Sequence, residues 1–491
     1  MTTKKCEGLT FAECELAILR MAVDSAEKKI GKQVVNSPEV KRMIVLLENF
    51  MKKKGVICYG GTAINALLPK EDQFYNTDIE IPDYDFFSPS ALEYAKELAD
   101  LYVREGFTEV EAKSGQHHGT YKVYVNFIPI ADITLLPKDL FQTLRKDAIS
   151  VGGILYTPPN YLRMSMYLEL SRPAGDISRW EKVLKRLSLL NKHYPLTTNE
   201  CSHVDFQRNV EGEGNVQKSD EIYENVKNTL VNQSVVFFGG YAISMYAKYM
   251  PATLRRRLEK IPDFDVLSEQ PEMTAEIVIE RLKEIGIKNA KIIKQAPLGE
   301  VIPEHYQIQV GKDTVAFIYA PIACHSYNIV NIDGQKIKIA TIDTMLSYYL
   351  AFLYADRNYY DVDRILCMSK FLFEVQQKNR LVQKGLLKRF SIDCLGHQET
   401  IEEMRAEKAA KYRELKGTRD TKEYEEWFLS YKPGDSQISL KKGKVVKKMK
   451  PKTNFTDKTR KVKGKPNKGK SNKKSNKRST RKSNKKRFSF F

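Results

Sequence analysis

Ten residues near the start of this chain return, altered, about 180 positions later, and this repetition limits the possible folds more than any other feature. VICYGGTAIN at 56–65 and VVFFGGYAIS at 235–244 agree at five of ten positions, with a separation of 179. IPDYDFFS at 81–88 and IPDFDVLS at 261–268 agree at five of eight, with a separation of 180. A third block, LRMSMYLEL at 162–170, faces TMLSYYLAF at 344–352 with a separation of 182. Between the second glycine and the first aspartate lie 21 residues in one copy and 22 in the other. Near-constant spacing over three blocks implies two tandem copies of one domain. The length of 491 residues agrees, since domains average roughly 150 residues.

Each copy reads as alternating helices and strands. Ser37 caps a helix that Pro38 opens; Val40, Met43, Ile44, Leu47 and Met51 form its buried stripe and Gly55 ends it. VICY then reads as a short buried strand, Gly60-Gly61 as a tight turn and TAINALL as a helix start. A helix follows Ser88-Pro89, and the alternation in GTYKVYVNFIPIADIT (119–134) predicts one long strand. Phe11, Leu16, Leu19 and Val23 recur at helical spacing and predict a packed N-terminal helix. The expected organisation is α/β (α+β). A helical region (1–54) precedes a first domain (55–196), a linker (197–221) and a second domain (222–395). A helical extension (396–432) and a basic, disordered tail (433–491) complete the chain.

The chemistry concentrates in the first copy. A strand running through Gly60-Gly61 into a helix lets backbone N–H groups and the positive helix end meet a phosphate without a Cβ in the way. In Asp83-Tyr84-Asp85, an extended backbone places both carboxylates on one side, about 6.6 Å apart at Cα. Such a pair repels itself unless a divalent cation sits between. Asp132 ends an apolar strand, where an acid is costly unless paired or metal-bound. Taken singly, each motif has a bland reading as a turn, a solvated loop or a strand edge. Together they resemble the pattern of polymerase-β-like nucleotidyltransferases, and that resemblance implies three carboxylates holding two metal ions.

CYGGTAIN, IPDYDFFS, FIPIADIT and YLRMSMYLELSRPAGDISRWEKVLKRL together resemble the poly(A) polymerase catalytic subunits of large cytoplasmic DNA viruses, giant-virus members especially, over roughly residues 40–380. The resemblance implies two tandem nucleotidyltransferase-like domains and ATP-dependent, template-independent addition of AMP to mRNA 3′-OH ends. Asp83, Asp85 and Asp132 would be the catalytic carboxylates for two Mg²⁺ or Mn²⁺ ions. Gly60, Gly61 and Thr62 would cradle phosphates, Lys182 would meet the triphosphate, and Asn65 is a further nucleotide-binding candidate. It also implies mRNA and ATP as partners, a homodimer or a methyltransferase-type processivity subunit, and a place in the virion and host cytoplasm. The alternatives are a uridylyl- or CCA-adding transferase, or a catalytically dead RNA-binding scaffold.

The second copy departs from the pattern. Asp263 and Asp265 remain, Thr62 becomes Tyr241, and the segment read as equivalent to 125–134, VAFIYAPIACHS at 315–326, carries no acid. One active site is expected, with the second copy structural or RNA-guiding.

Charge divides as sharply as the motifs. Residues 441–491 hold 23 Lys or Arg against one acid, Asp457, leaving 58 basic and 60 acidic side chains elsewhere. The tail, at +22, could neutralise RNA phosphates without reading sequence, while the rest of the chain, at −2, is not a general nucleic-acid binder. Seven cysteines without a CxxC pair predict reduced thiols, Cys58 among them as packing. His117-His118 reads as a hairpin loop and the Cys324-His325 pair as packing. No run approaches the roughly 20 apolar residues of a membrane span, so the expectation is a soluble intracellular protein.

Overall fold

The computed structural model describes residues 6, 8–76, 78–198, 201–206, 216–255 and 262–434. The expectations for the tail from 435 onward, and for part of the linker, lie outside those residues. Strands of the first copy are β1 (Ile57–Tyr59), β2 (Tyr84–Ser88), β3 (Val110–Ser114), β4 (Thr120–Val125), β5 (Ile128–Leu135), β6 (Ile149–Val151) and β7 (Ile154–Tyr156). Those of the second are β8 (Val236–Phe237), β9 (Phe264–Leu267), β10 (Ala290–Gln295), β11 (His305–Val310), β12 (Asp313–Tyr319), β13 (His325–Ile332) and β14 (Gln335–Ala340). Two short strands follow, β15 (Cys394–Leu395) and β16 (Ser430–Tyr431).

The repeat is topological as well as sequential. One eight-stranded sheet runs β16-β3-β4-β5-β2-β1-β7-β6 and the other β10-β11-β12-β9-β8-β14-β13-β15. Without β16 and β15 the two orders are the same, strand for equivalent strand. Parallel and antiparallel senses agree too: β2 with β5 and β9 with β12 are parallel, as are β1 with β7 and β8 with β14. The added strands lie at opposite ends, β16 on β3 and β15 on β13.

Each sheet buries one face under helices. Ala91–Arg104 packs on β3, β4 and β5 through Ala91, Leu92, Ala95, Leu98, Ala99 and Tyr102, all buried. In β4 burial alternates, with Tyr121, Val123 and Val125 towards that helix and Thr120, Lys122 and Tyr124 on the half-exposed face. The helix Pro38–Lys54 is capped by Ser37, whose hydroxyl accepts from the Val40 N–H, and ends at Gly55 with φ 61°, as its sequence predicts. The equivalent helices Pro159–Leu170 and Ile342–Phe352 pack directly against each other, joining the copies in one hydrophobic core.

Four expectations need correction. Residues 119–134 are a hairpin, not one strand: β4 and β5 meet in a two-residue turn at Asn126 and Phe127, with φ of 50° and 64°. Such turns need two left-handed residues, and phenylalanine is not a residue from which one would be read. The helix Phe11–Val35 forms, but Phe11, Leu16, Leu19 and Val23 are exposed, and Val35 is its buried residue. Cys6–Cys14, Cys201–Cys367 and Cys324–Cys394 are disulfides with Cα separations of 5.1, 5.7 and 5.2 Å, inside the bonding range. Two of these pairs join residues 166 and 70 positions apart, a proximity that spacing does not reveal. Cys58 is free and buried, as expected. Finally, β12 ends at Tyr319 and β13 begins at His325, so the segment 315–326 is not one strand.

Candidate active site

The site lies on the half-exposed face of the first sheet. Asp85 is in β2, and Asp132 is its direct parallel partner in β5. Asp83 immediately precedes β2 and is exposed, while Asp85 is half-buried. Strand ladders fix these positions: Tyr59 pairs with Asp85, Asp85 with Asp132, Asp132 with Lys122 and Lys122 with Lys113. Cross-strand partners share a face, so these five side chains form one row across β1, β2, β5, β4 and β3.

The carboxylates strain against one another. Burial, then the charges of Asp83 and Asp132, push the Asp85 carboxyl up to about 7, opposed by Lys122 and Arg179. Asp83, exposed at one side but partly desolvated by the surrounding protein, is also raised, by that desolvation and by Asp132, with Lys122 and Lys182 opposing. Asp132 is ion-paired to Lys122, whose side chain is 37% exposed against 19% for the acid. Among the described residues no three acid, imidazole or thiol groups already converge as metal ligands. The donor set nevertheless suits a hard divalent cation, for it is all oxygen, held by adjacent strands, and carries negative charge that the neighbouring cations only partly offset.

This has a measurable consequence. A free Asp carboxyl titrates near 3.9, so between about pH 4 and pH 7 the folded state, with Asp85 near 7, holds more protons than the unfolded one. Folding stability therefore falls as pH rises through that window. A divalent cation held by Asp85 would bind the deprotonated form and reverse the penalty. The rise in Tm on adding Mg²⁺ or Mn²⁺ is expected to be clearly larger at pH 8 than at pH 6, and equal shifts would count against Asp85 as a ligand.

The glycine turn is built for close approach. Gly60 has φ 70°, and a Cβ there would stand 2.9 Å from Asp85 Oδ2. A Cβ on Gly61 would collide with the Tyr75 hydroxyl and stand 2.9 Å from Arg186 Nη1. Thr62 is buried, and its hydroxyl donates to the Asp83 carbonyl, tying the helix Gly60–Leu67 to the start of β2. Asn65 is buried one turn on. Its carbonyl oxygen accepts from the N–H groups of Phe74 (2.8 Å) and Tyr75 (3.0 Å), which pins that loop beside the turn.

Sequence reading missed Arg186 and Tyr75. Arg186 Nη2 donates to Tyr75 Oη at 2.9 Å, and its guanidinium lies 4.5 Å from the Phe74 ring centre. Arg186 follows Lys182 by four residues in the helix Trp180–His193, so both lie on one face. That i, i+4 relation was the available signal; for Tyr75, in a loop, there was none. Arg179, paired with Glu169 at 3.0 Å, adds a third cation close enough to act on Asp85.

The second copy keeps the frame but not the third acid. Asp265 pairs with Phe317 where Asp85 pairs with Asp132, so an aromatic ring replaces the third acid. Asp263 and Asp265 are 2% and 8% exposed and line a cavity of about 20 Å³ with Tyr349, Tyr360 and Arg364. Space of that size admits about one water. His325 is fully buried, and its Nε2 is 3.0 Å from the Tyr348 hydroxyl; the His118 ring lies 4.2 Å from that of Trp427, tilted by 37°.

Comparison with known proteins places these features. Residues 45–176 match the family model for the poly(A) polymerase catalytic subunit. A protein of African swine fever virus (isolate Pig/Kenya/KEN-50/1950) assigned as such a subunit is 32% identical over 171 residues, 34% of this chain and 36% of that one. One from Acanthamoeba polyphaga mimivirus is 30% identical over 181 residues, 35% of this chain and 30% of that one. The chain thus spans about a third of the length of the relatives it matches. The crystal structure of the Megavirus polyadenylate synthase superposes with a TM-score of 0.71 at 19% identity, covering 87% of each chain. Residues 45–176, which hold the glycine turn and all three carboxylates, thus match the model of the poly(A) polymerase catalytic subunit family, within a chain that has the fold of the Megavirus enzyme.

Proposed function

We propose that this protein is a template-independent polynucleotide adenylyltransferase that adds AMP from ATP to the 3′-OH of mRNA. The observation that carries this reading is the juxtaposition of Asp85 and Asp132 on adjacent strands, with Asp83 beside them and the Gly60-Gly61 turn against Asp85. Two divalent cations, Mg²⁺ or Mn²⁺, held by Asp83, Asp85 and Asp132 would supply charge stabilisation and an activated hydroxyl. The chain's own groups do the rest. Backbone N–H groups at Gly60 and Gly61 meet phosphate oxygens, and Lys182 and Arg186 offset the triphosphate's charge. Thr62 and Asn65 act by holding β2 and the Phe74–Tyr75 loop in place. The second copy serves as scaffold, with its acids buried and its third acid absent.

Primer extension with each of the four nucleotides separately tests this reading. Incorporation of ATP well above the others onto an RNA bearing a free 3′-OH is expected. Equal use of UTP or CTP moves the assignment to a uridylyl- or CCA-adding transferase, and no incorporation at all leaves a binding scaffold.

Truncation after residue 440 tests the tail. Each phosphate neutralised on a single strand adds roughly 0.7 to the slope of log K against log salt, so about six contacts give a slope near −4. Removing the tail's 23 basic residues should flatten that slope and leave single-nucleotide addition at saturating primer nearly unchanged. The same slope after truncation would assign RNA affinity to the folded part. As to assembly, the exposed Phe11, Leu16, Leu19 and Val23 favour a partner on the N-terminal helix, a second copy or a processivity subunit.

A further inference from the structure

The carboxylate row continues past the acids. Beyond Asp132 come Lys122 on β4 and Lys113 on β3, then Ser430 on the edge strand β16, each the direct partner of the one before. With strands about 4.8 Å apart, Lys122 and Lys113 stand about 5 and 10 Å from Asp132 along the row. Both are on the half-exposed face. Tyr124 is on the same face one pair down, and the Lys113 ammonium lies 5.7 Å from its ring centre. Each lysine has an acid partner in the row's vicinity: Lys122 is paired with Asp132, and Lys113 with Glu111. Lys122 also acts on Asp83 and Asp85. It is therefore the one lysine in direct contact with the triad among the described residues, and it engages the acid that must turn to a cation.

We propose that Lys122 couples cation loading to primer binding. Without cations it holds Asp132 and offsets part of the triad's charge; when Asp132 becomes a metal ligand, the released ammonium takes the phosphate of the primer's 3′-terminal nucleotide. Lys113, one strand further out, holds the phosphate behind it, and Tyr124 offers its ring to a base. The exchange is balanced in charge, since Lys122 trades a carboxylate for a phosphate and Asp132 trades an ammonium for a cation. The spacing suits it, because the two lysines recede from the acids along the row, as successive phosphates recede from a 3′ end. It rests on the adenylyl-transfer reading above for the identity of the primer, but not for the exchange itself.

The test is binding, not turnover. Anisotropy of a 5′-labelled oligoadenylate RNA is measured on the full-length protein without ATP, in EDTA or Ca²⁺ at matched ionic strength. For the wild type, Ca²⁺ should strengthen binding by about fivefold or more, the low end of coupling between two ligands. In Lys122→Gln that ratio should fall to about one, within the twofold scatter of such measurements; this variant should also bind Mn²⁺ more tightly than wild type when no RNA is present. Asp132→Asn, which releases Lys122 without any cation, should bind RNA in EDTA as tightly as wild type does in Ca²⁺. Lys113→Gln should weaken binding equally in both buffers. Thermal unfolding confirms that each variant is folded, and Lys122→Arg should keep the coupling if Lys122→Gln is not. A wild-type ratio retained in folded Lys122→Gln, or no Ca²⁺ effect in the wild type, overturns the proposal. Primer extension by the wild type reports separately on the adenylyl-transfer reading, so either can fail alone.

Discussion

Replacing Asp83, Asp85 or Asp132 by Ala is expected to lower AMP incorporation by at least about 10³-fold. On the proposed reading the cations they would hold stabilise several kcal/mol of developing charge, and each 1.36 kcal/mol is tenfold in rate. None of the three is fully buried, so the fold should survive their removal, and relief of the repulsion at Asp85 should raise Tm slightly above pH 7. The matching change in the second copy, Asp263→Asn with Asp265→Asn, should leave incorporation within about threefold of wild type, since Phe317 replaces the third ligand there. Asparagine is the appropriate substitute because both acids are buried, and alanine would open a void. Loss of activity in a folded double variant would show that the second site takes part in the chemistry.

Gly60→Ala should be nearly as damaging, for a different reason. The new Cβ would sit 2.9 Å from Asp85 Oδ2, with backbone that L residues adopt at a cost of about 1–2 kcal/mol. Asp85 must move, and if it is a metal ligand as proposed, displacement by about 1 Å costs on the order of 10²-fold in rate. Gly106→Ala is the control. Its φ of 92° carries a backbone penalty of its own, but nothing lies within 4 Å of the added methyl. It should lose about 1–2 kcal/mol of stability with activity intact. Equal activity in the two variants would mean that the Asp85 contact does not matter.

The carboxylate pattern was legible in the sequence because its spacing repeats and because acids in apolar strands are rare. Strand order, by contrast, came from the fold, though the repeat predicted that the two orders would agree. The hairpin at Asn126-Phe127 was hidden because the residues on either side keep alternating polarity through the turn, so period alone saw one strand. The substitution of Phe317 for Asp132 was visible only as a missing acid. Ladder register was needed to say which residue took its place. Arg186 and Tyr75 escaped because they reach the glycine turn from a helix and a loop 111 residues apart. The exposed N-terminal stripe failed for another reason: helical spacing predicts a face and says nothing of what covers it.

The packing of Pro159–Leu170 against Ile342–Phe352 brings equivalent helices face to face, as in an isologous dimer whose subunits have been fused into one polypeptide. Neither half is then autonomous. Residues 1–196 alone would expose to water the side of Pro159–Leu170 that packs on Ile342–Phe352. They would also leave β3 as a bare edge, because β16, which covers it, is contributed from beyond the second copy. The half that carries mutually repelling acids is thus held in shape by a half that has exchanged one of its own acids for an aromatic core residue. Fusion allows this division of labour, for an obligate symmetric dimer would have to place the same compromise in both of its subunits.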